Sequence, residues 1–173
     1  MEREEIMTTA ELLLQDFDIE MASTRRTLER IPEDKAAYKP HEKSMPLGQL
    51  ALHVATLPGF AKTILTTPSL DLASAPRPDM TFHGREATLA TFDALAAEAR
   101  AALVASSDAD LSAAWRFSFG DRVISDAPRS LAFRHMFFNH LIHHRAQLGV
   151  YLRMNNIPVP GVYGPSADEP FKP

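Results

Sequence analysis

The sequence predicts an all-α fold: a four-helix bundle with a long crossover connection and a small irregular or β-hairpin insertion before the last helix. Three observations carry that expectation. Four segments repeat apolar residues at steps of three and four, the period of a helix with one buried face. Proline- and glycine-bearing stretches separate them, and one connection, the second, is long. A run of period-two alternation precedes the fourth segment. At 173 residues the chain reads as a single domain, 1–173, large enough to bury a core.

The first helix is expected from about Thr8 to Arg30, with Ala10, Leu13, Phe17, Met21, Thr24, Leu28 and Ile31 on one stripe. Asp16, Asp18 and Glu20 then form its solvated face, and Pro32 ends it. The connector Ala37–Ser44 has no clear period. Ser44 is expected to cap the second helix, with Pro46 in its first turn, where a missing N–H is harmless. That helix carries Leu47, Leu50, Val54, Leu57 and Ala61 inward, together with His53. Pro58 should kink it just after His53.

Thr66 to Gly84 contains Pro68, Pro76 and Pro78 and reads as a long crossover, a type of loop that often covers a site. The third helix starts near Arg85, presents Leu89, Phe92, Ala96, Ala99 and Leu103, and stops near Ser106–Asp108. Trp115-Arg116-Phe117-Ser118-Phe119 alternates, meets Gly120-Asp121, and is followed by Arg122-Val123-Ile124, which suggests a short hairpin. Asp126 with Pro128 signals the start of the fourth helix, unbroken from Leu131 to Asn155. Beyond Asn156 the prolines and glycines of the tail imply an extended strap.

Composition removes several function classes. Hydrophobic residues make up 45 % and charged ones 23 %, ordinary for a soluble globular protein, and the formal net charge of −4 argues against a nucleic-acid partner. No apolar run is long enough to span a bilayer, and the acidic start Met-Glu-Arg-Glu-Glu is unlike a signal peptide. A cytoplasmic location without nucleic-acid or membrane partners is the expectation. There is no cysteine, hence no disulfide, thiolate ligand or cysteine nucleophile.

The chemistry concentrates in Asn139-His140-Leu141-Ile142-His143-His144-Arg145-Ala146-Gln147-Leu148, which holds three of the 7 histidines. His140 and His144 are one helical turn apart and share a stripe with Phe133, Phe137, Leu148 and Tyr151, so both imidazoles point inward. His53 is inward on the second helix. Three neutral imidazoles suit a divalent metal and leave a coordination position open, the mark of a catalytic rather than a structural site. The competing reading is a polar core patch, with the histidines bonded to each other, to Asn139, to Gln147 or to water. His143 lies on the flank of the stripe, either orienting a ligand or solvated. His135, His83 and His41 read as surface or loop residues. No serine sits in a nucleophile elbow and no glycine loop suits a phosphate.

Four stretches, in order, resemble the DinB/YfiT-like family of metal-dependent four-helix-bundle proteins. They are Lys39-Pro40-His41-Glu42-Lys43-Ser44-Met45, Leu50-Ala51-Leu52-His53-Val54-Ala55-Thr56-Leu57-Pro58-Gly59, the histidine stretch above, and the tail Pro160-Gly161-Val162-Tyr163-Gly164-Pro165-Ser166-Ala167-Asp168-Glu169. Carried over by motif, the resemblance implies one divalent metal ion per chain, nickel or zinc, on His53, His140 and His144. It also implies a homodimer and a small-molecule substrate. Some relatives resemble S-transferases that use a low-molecular-weight thiol, which makes such transfer chemistry the expected function. The alternatives are a metal-dependent hydrolase of the same geometry and a non-catalytic metal- or ligand-binding bundle of a stress response. Family analogy alone brings Arg145 and Tyr163 toward the site, and no catalytic residue is singled out. An open coordination position and a cleft near the 66–84 crossover would favour catalysis, whereas a pocket of Phe117, Phe119, Phe133 and Phe137 alone would favour binding.

Overall fold

The helical period of the sequence becomes four long helical stretches in the computed structural model, which describes residues 7–171. The acidic run at residues 1–5 lies outside them. Helix α1 is Thr9–Leu28, opened by a capping box in which Thr8 and Glu11 satisfy each other's backbone N–H groups. It buries Leu13, Phe17, Met21, Thr24 and Leu28 as the stripe requires. Glu20, expected in solvent, is buried as well, because Arg145 and Tyr163 reach it from the far end of the chain.

Helix α2 is Leu47–Thr66. Ser44 does not cap it: Pro46 occupies the cap position, and no side chain bonds the first turn. Backbone carbonyls of the connector act instead, Tyr38 O accepting from Leu47 N and Ala36 O from Gly48 N, each at 2.9 Å. Gly48 is needed here, since a Cβ would come within 2.8 Å of the Phe82 ring. The expected kink at Pro58 does not divide the helix, which continues for two more turns with Ala61, Ile64 and Leu65 buried. At the far end Arg129 donates to the Ile64 and Thr67 carbonyls, at 3.0 and 2.8 Å.

The crossover is not free of regular structure. Strand β1, Ser69–Asp71, pairs in parallel with β2, Ala114–Phe119, which pairs antiparallel with β3, Arg122–Pro128. The hairpin is thus longer than the alternation suggested and gains a third strand. Its turn uses Gly120 at φ +56°, and Asp71 locks the crossover to that turn by accepting from Gly120 N at 2.8 Å. Asp126 lies inside β3 rather than capping a helix.

Helix α3, Arg85–Val104, begins after Gly84 at φ +104°, and the Glu33 carboxylate accepts from Arg85 N at 2.9 Å. A five-residue helix that the pattern gave no sign of, α4, Asp108–Ser112, carries its own capping box, Ser107 with Asp110. The last helical stretch is less uniform than its sequence. Helix α5, Arg129–Ala132, passes into a π-helical segment, Phe133–Phe138, and then into α6, Asn139–Met154. Helix α2 packs on both α3 and α6, and α1 does the same. Phe17 meets Phe133, Phe137 and Phe138 between them at ring-centroid distances of 6.4, 5.9 and 6.4 Å. The tail from Asn155 is a chain of turns and bends rather than the extended strap expected, tied to α1 and α6 by the pairing of Glu169 with Arg26 and Arg30 and of Asp168 with Arg153. Among the described residues no helix is long and apolar enough to cross a membrane.

Candidate metal centre

Helix packing brings together three side chains that the sequence separates by nearly ninety positions. His53 sits on α2, while His140 and His144 lie one turn apart on α6. One ring nitrogen from each lies within 4.8 Å of the others. His53 Nε2 and His140 Nε2 are 3.2 Å apart. Ring centroids are 4.5 Å apart for His53 and His144, and 4.7 Å for His140 and His144. All three histidines are half-buried, so the group is not sealed from solvent.

Two ligands of a tetrahedral zinc, each about 2.05 Å from the ion, lie about 3.3 Å apart. The His53–His140 separation fits that spacing, and it also fits a hydrogen bond between neutral imidazoles. The third ring makes the set more than a pair. His144 Nδ1 lies 2.8 Å from Gln147 Oε1, one turn further along α6. An amide oxygen only accepts, so Nδ1 carries the proton and Nε2 keeps its lone pair for the cluster.

Electrostatics keeps the rings neutral. Burial, then the neighbouring His144 and His140, lowers the His53 pKa to about 4. Burial followed by His144 lowers that of His140, against an opposing interaction with the Met136 backbone. Burial lowers that of His144, with Gln147 opposing. Three neutral imidazoles are the protonation state that metal ligation needs. The donor chemistry and the spacing therefore fit a divalent ion.

Beside the cluster lies a cleft of about 610 Å³. It is lined by Phe60 of α2, Phe117 and Ser125 of the hairpin, His135 and Met136 of the π segment, and Asn139, His140 and His143 of α6. His140 belongs to both cleft and cluster. The 66–84 crossover contributes nothing to this lining. Phe133 and Phe137 are fully buried core, and Phe119 is exposed, so the all-phenylalanine pocket is not formed. His143 is exposed on the rim, its ring edge-on to His144 at 4.9 Å. His135, His83 and His41 are exposed, as expected.

Arg145 and Tyr163 form a separate group. Arg145 is buried and donates to Glu20 O, Thr24 Oγ1 and the Tyr163 hydroxyl at 3.2, 3.1 and 2.7 Å. The Tyr163 hydroxyl in turn donates to Glu20 Oε1 at 2.7 Å, and Glu20 Oε2 faces Arg145 Nη1 at 2.6 Å. Their polar atoms are used on α1 and on each other, and neither residue lines the cleft. A second hollow, about 390 Å³, lies between the tail and the outer face of α6 around Val150, Met154 and Val159. It contains none of the three histidines, so the chemistry points to the first cleft. Gln147 was legible only as one of several hydrogen-bond partners. The sole signal of its role is its position three residues after His144.

The fold has solved counterparts. A DinB-like protein from Bacillus cereus shares 19% identity at a TM-score of 0.64, over 87% of this chain and 95% of the other. A DinB-like protein from Bacillus subtilis shares 18% identity at a TM-score of 0.65, over 87% and 96%. Comparison with curated proteins gives no match. The sequence matches the DinB family over residues 6–171, nearly its whole length, and the chain belongs to that family.

Proposed function

We propose that this protein is a metal-dependent enzyme on a four-helix-bundle scaffold, with His53, His140 and His144 holding one divalent ion, nickel or zinc. Its reaction is transfer to or from a low-molecular-weight thiol. The observation that carries the reading is the convergence of three neutral, half-buried imidazoles beside an open cleft. The bound ion supplies Lewis acidity, which lowers the pKa of a thiol or a water brought to it.

The chain's own residues do the rest. Burial keeps the three rings unprotonated, so their lone pairs are available at neutral pH. Gln147 fixes the His144 tautomer and ring plane. Packing of α2 on α6 sets the distance between His53 and the helical pair, and among the described residues only three potential ligands gather at the centre, which leaves room for a substrate atom. The absence of cysteine favours a thiol brought in by a small molecule over one supplied by the chain.

Hydrolysis is the second reading, since the same centre would act on water. Cobalt-substituted protein separates the two. A low-mass thiol should give a near-ultraviolet sulfur-to-metal charge-transfer band, and the loaded protein should then couple that thiol to an electrophile. If thiols leave the spectrum unchanged while an ester is cleaved, the hydrolase reading replaces it. No turnover of either kind would leave a metal- or ligand-binding bundle.

A further inference from the structure

The cleft beside the histidines has a composition that speaks to what it holds. One wall is aromatic and stiff. Phe60 and Phe117 meet at 5.7 Å between centroids, and Phe117 stacks on Trp115 at 5.9 Å and 15°. Trp115 is fully buried and also contacts the Phe60 ring at 6.0 Å, so the three rings brace one another across α2 and the hairpin. Met136 adds a polarisable apolar surface. The rest of the lining is polar: Ser125, His135, Asn139, His143, and His140, which also belongs to the three-histidine cluster. None of the lining residues is acidic or carries a permanent charge.

We propose that this cleft seats a flat, apolar, ring-bearing substrate, its body along Phe60, Phe117 and Met136 and its reacting group at the His140 edge. The inference rests on the metal-site reading above and narrows it to a substrate class. The reasoning is physical. A rigid aromatic wall loses little conformational freedom when a ring stacks on it, and aromatic pairs gain from offset or edge-on contact beyond the area they bury. A volume of this size accommodates a small aromatic molecule and belongs to the range of ligand pockets. A highly polar, polyhydroxylated body would find one amide, one hydroxyl and the imidazoles for its many hydroxyls, and would leave the rest unpaired against phenylalanine. On this account the ring-bearing molecule is the electrophile: the thiol sulfur bonds its reacting carbon as the bond to the leaving group breaks, and the leaving group departs with that electron pair and takes up the thiol's proton.

The test compares two metal-seeking head groups that differ only in body. Zinc-loaded protein is titrated with benzohydroxamate and with acetohydroxamate by calorimetry, with zinc content measured on the same samples. Burial of the phenyl ring should make benzohydroxamate bind at least roughly tenfold more tightly. Phe60→Ala, and separately Met136→Gln in case the first variant is unstable, should pull the ratio of the two constants toward one with zinc still bound. Equal affinities in zinc-loaded wild type would overturn the seating and leave the metal centre standing. A protein that takes up no zinc would overturn both readings.

Discussion

At the scale of single residues, the group that sets the tautomer in the candidate centre is not one of its three histidines. Gln147 bonds His144 through its amide oxygen, which determines which imidazole nitrogen carries the proton. Gln147→Ala should keep the fold and lower metal affinity by roughly 10- to 100-fold, the usual effect of losing such a partner; a competition titration against a chromophoric chelator reads it directly. Unchanged affinity would mean that the ring is held by packing alone. Glu20 makes the opposite point. Its place on α1, between Asp16, Asp18 and the arginines that follow, gave every reason to read it as solvated. It is buried because Arg145 is buried, and nothing local connects two residues that far apart in sequence. Glu20→Ala leaves a guanidinium at 4 % exposure without its carboxylate, which should cost about 3–5 kcal/mol in a denaturant titration.

At the scale of elements, the sequence revealed helices well and their ends poorly. The α2 stripe is wholly buried and most of the α1 and α3 stripes are too, since the apolar period is a property of each segment alone, but Leu89 and Ala96 are only half-buried and α2 also buries Ala51, Ala55 and Ile64 off its stripe. Ser44 is a good capping residue in general, whereas at α2 Tyr38 and Ala36 offer carbonyls that no pattern announces. Strand β1 escaped for a related reason. Three residues in a proline-bearing loop become a strand only when β2 lies alongside. The π segment matters most, because it leads straight into His140. Phe133, Phe137 and Phe138 all bury against Phe17, and the wider π turn lets adjacent phenylalanines share one face. A strict period of 3.6 does not anticipate that. Arg129 links two elements by capping the carbonyls at the end of α2. Arg129→Met should therefore lower stability by about 1–3 kcal/mol, as loss of hydrogen bonds from a charged donor does. Hydrogen exchange should show the loosening first at Ile64–Thr67. Uniform loosening of the whole domain would argue against a local cap.

At the scale of the whole molecule, the candidate centre depends on the packing of α2 against α6, and this gives the protein a pH signature. Unfolded, His53 regains its ordinary pKa of 6.5, whereas folded it stays at about 4. Between those values the unfolded chain binds more protons than the folded one, so stability falls as pH drops through that window and is fully regained above 6.5. His140 and His144, lowered for the same first cause, add to the slope. Thermal melts of metal-free protein should decline most steeply between pH 6.5 and 4, and His53→Gln should flatten that part of the curve. The three histidines were legible in the sequence because inward stripes on two helices select them, but their mutual distance is a property of the assembled fold alone.

The central claim, that these histidines form a metal centre, has one direct test. Protein purified without an affinity tag should carry close to one equivalent of nickel or zinc by elemental analysis, and a His140→Ala/His144→Ala double variant of intact helicity should carry essentially none. A wild type that is empty, and that gains no thermal stability from added zinc or nickel, would contradict the account and make the three rings a hydrogen-bonded patch in the core.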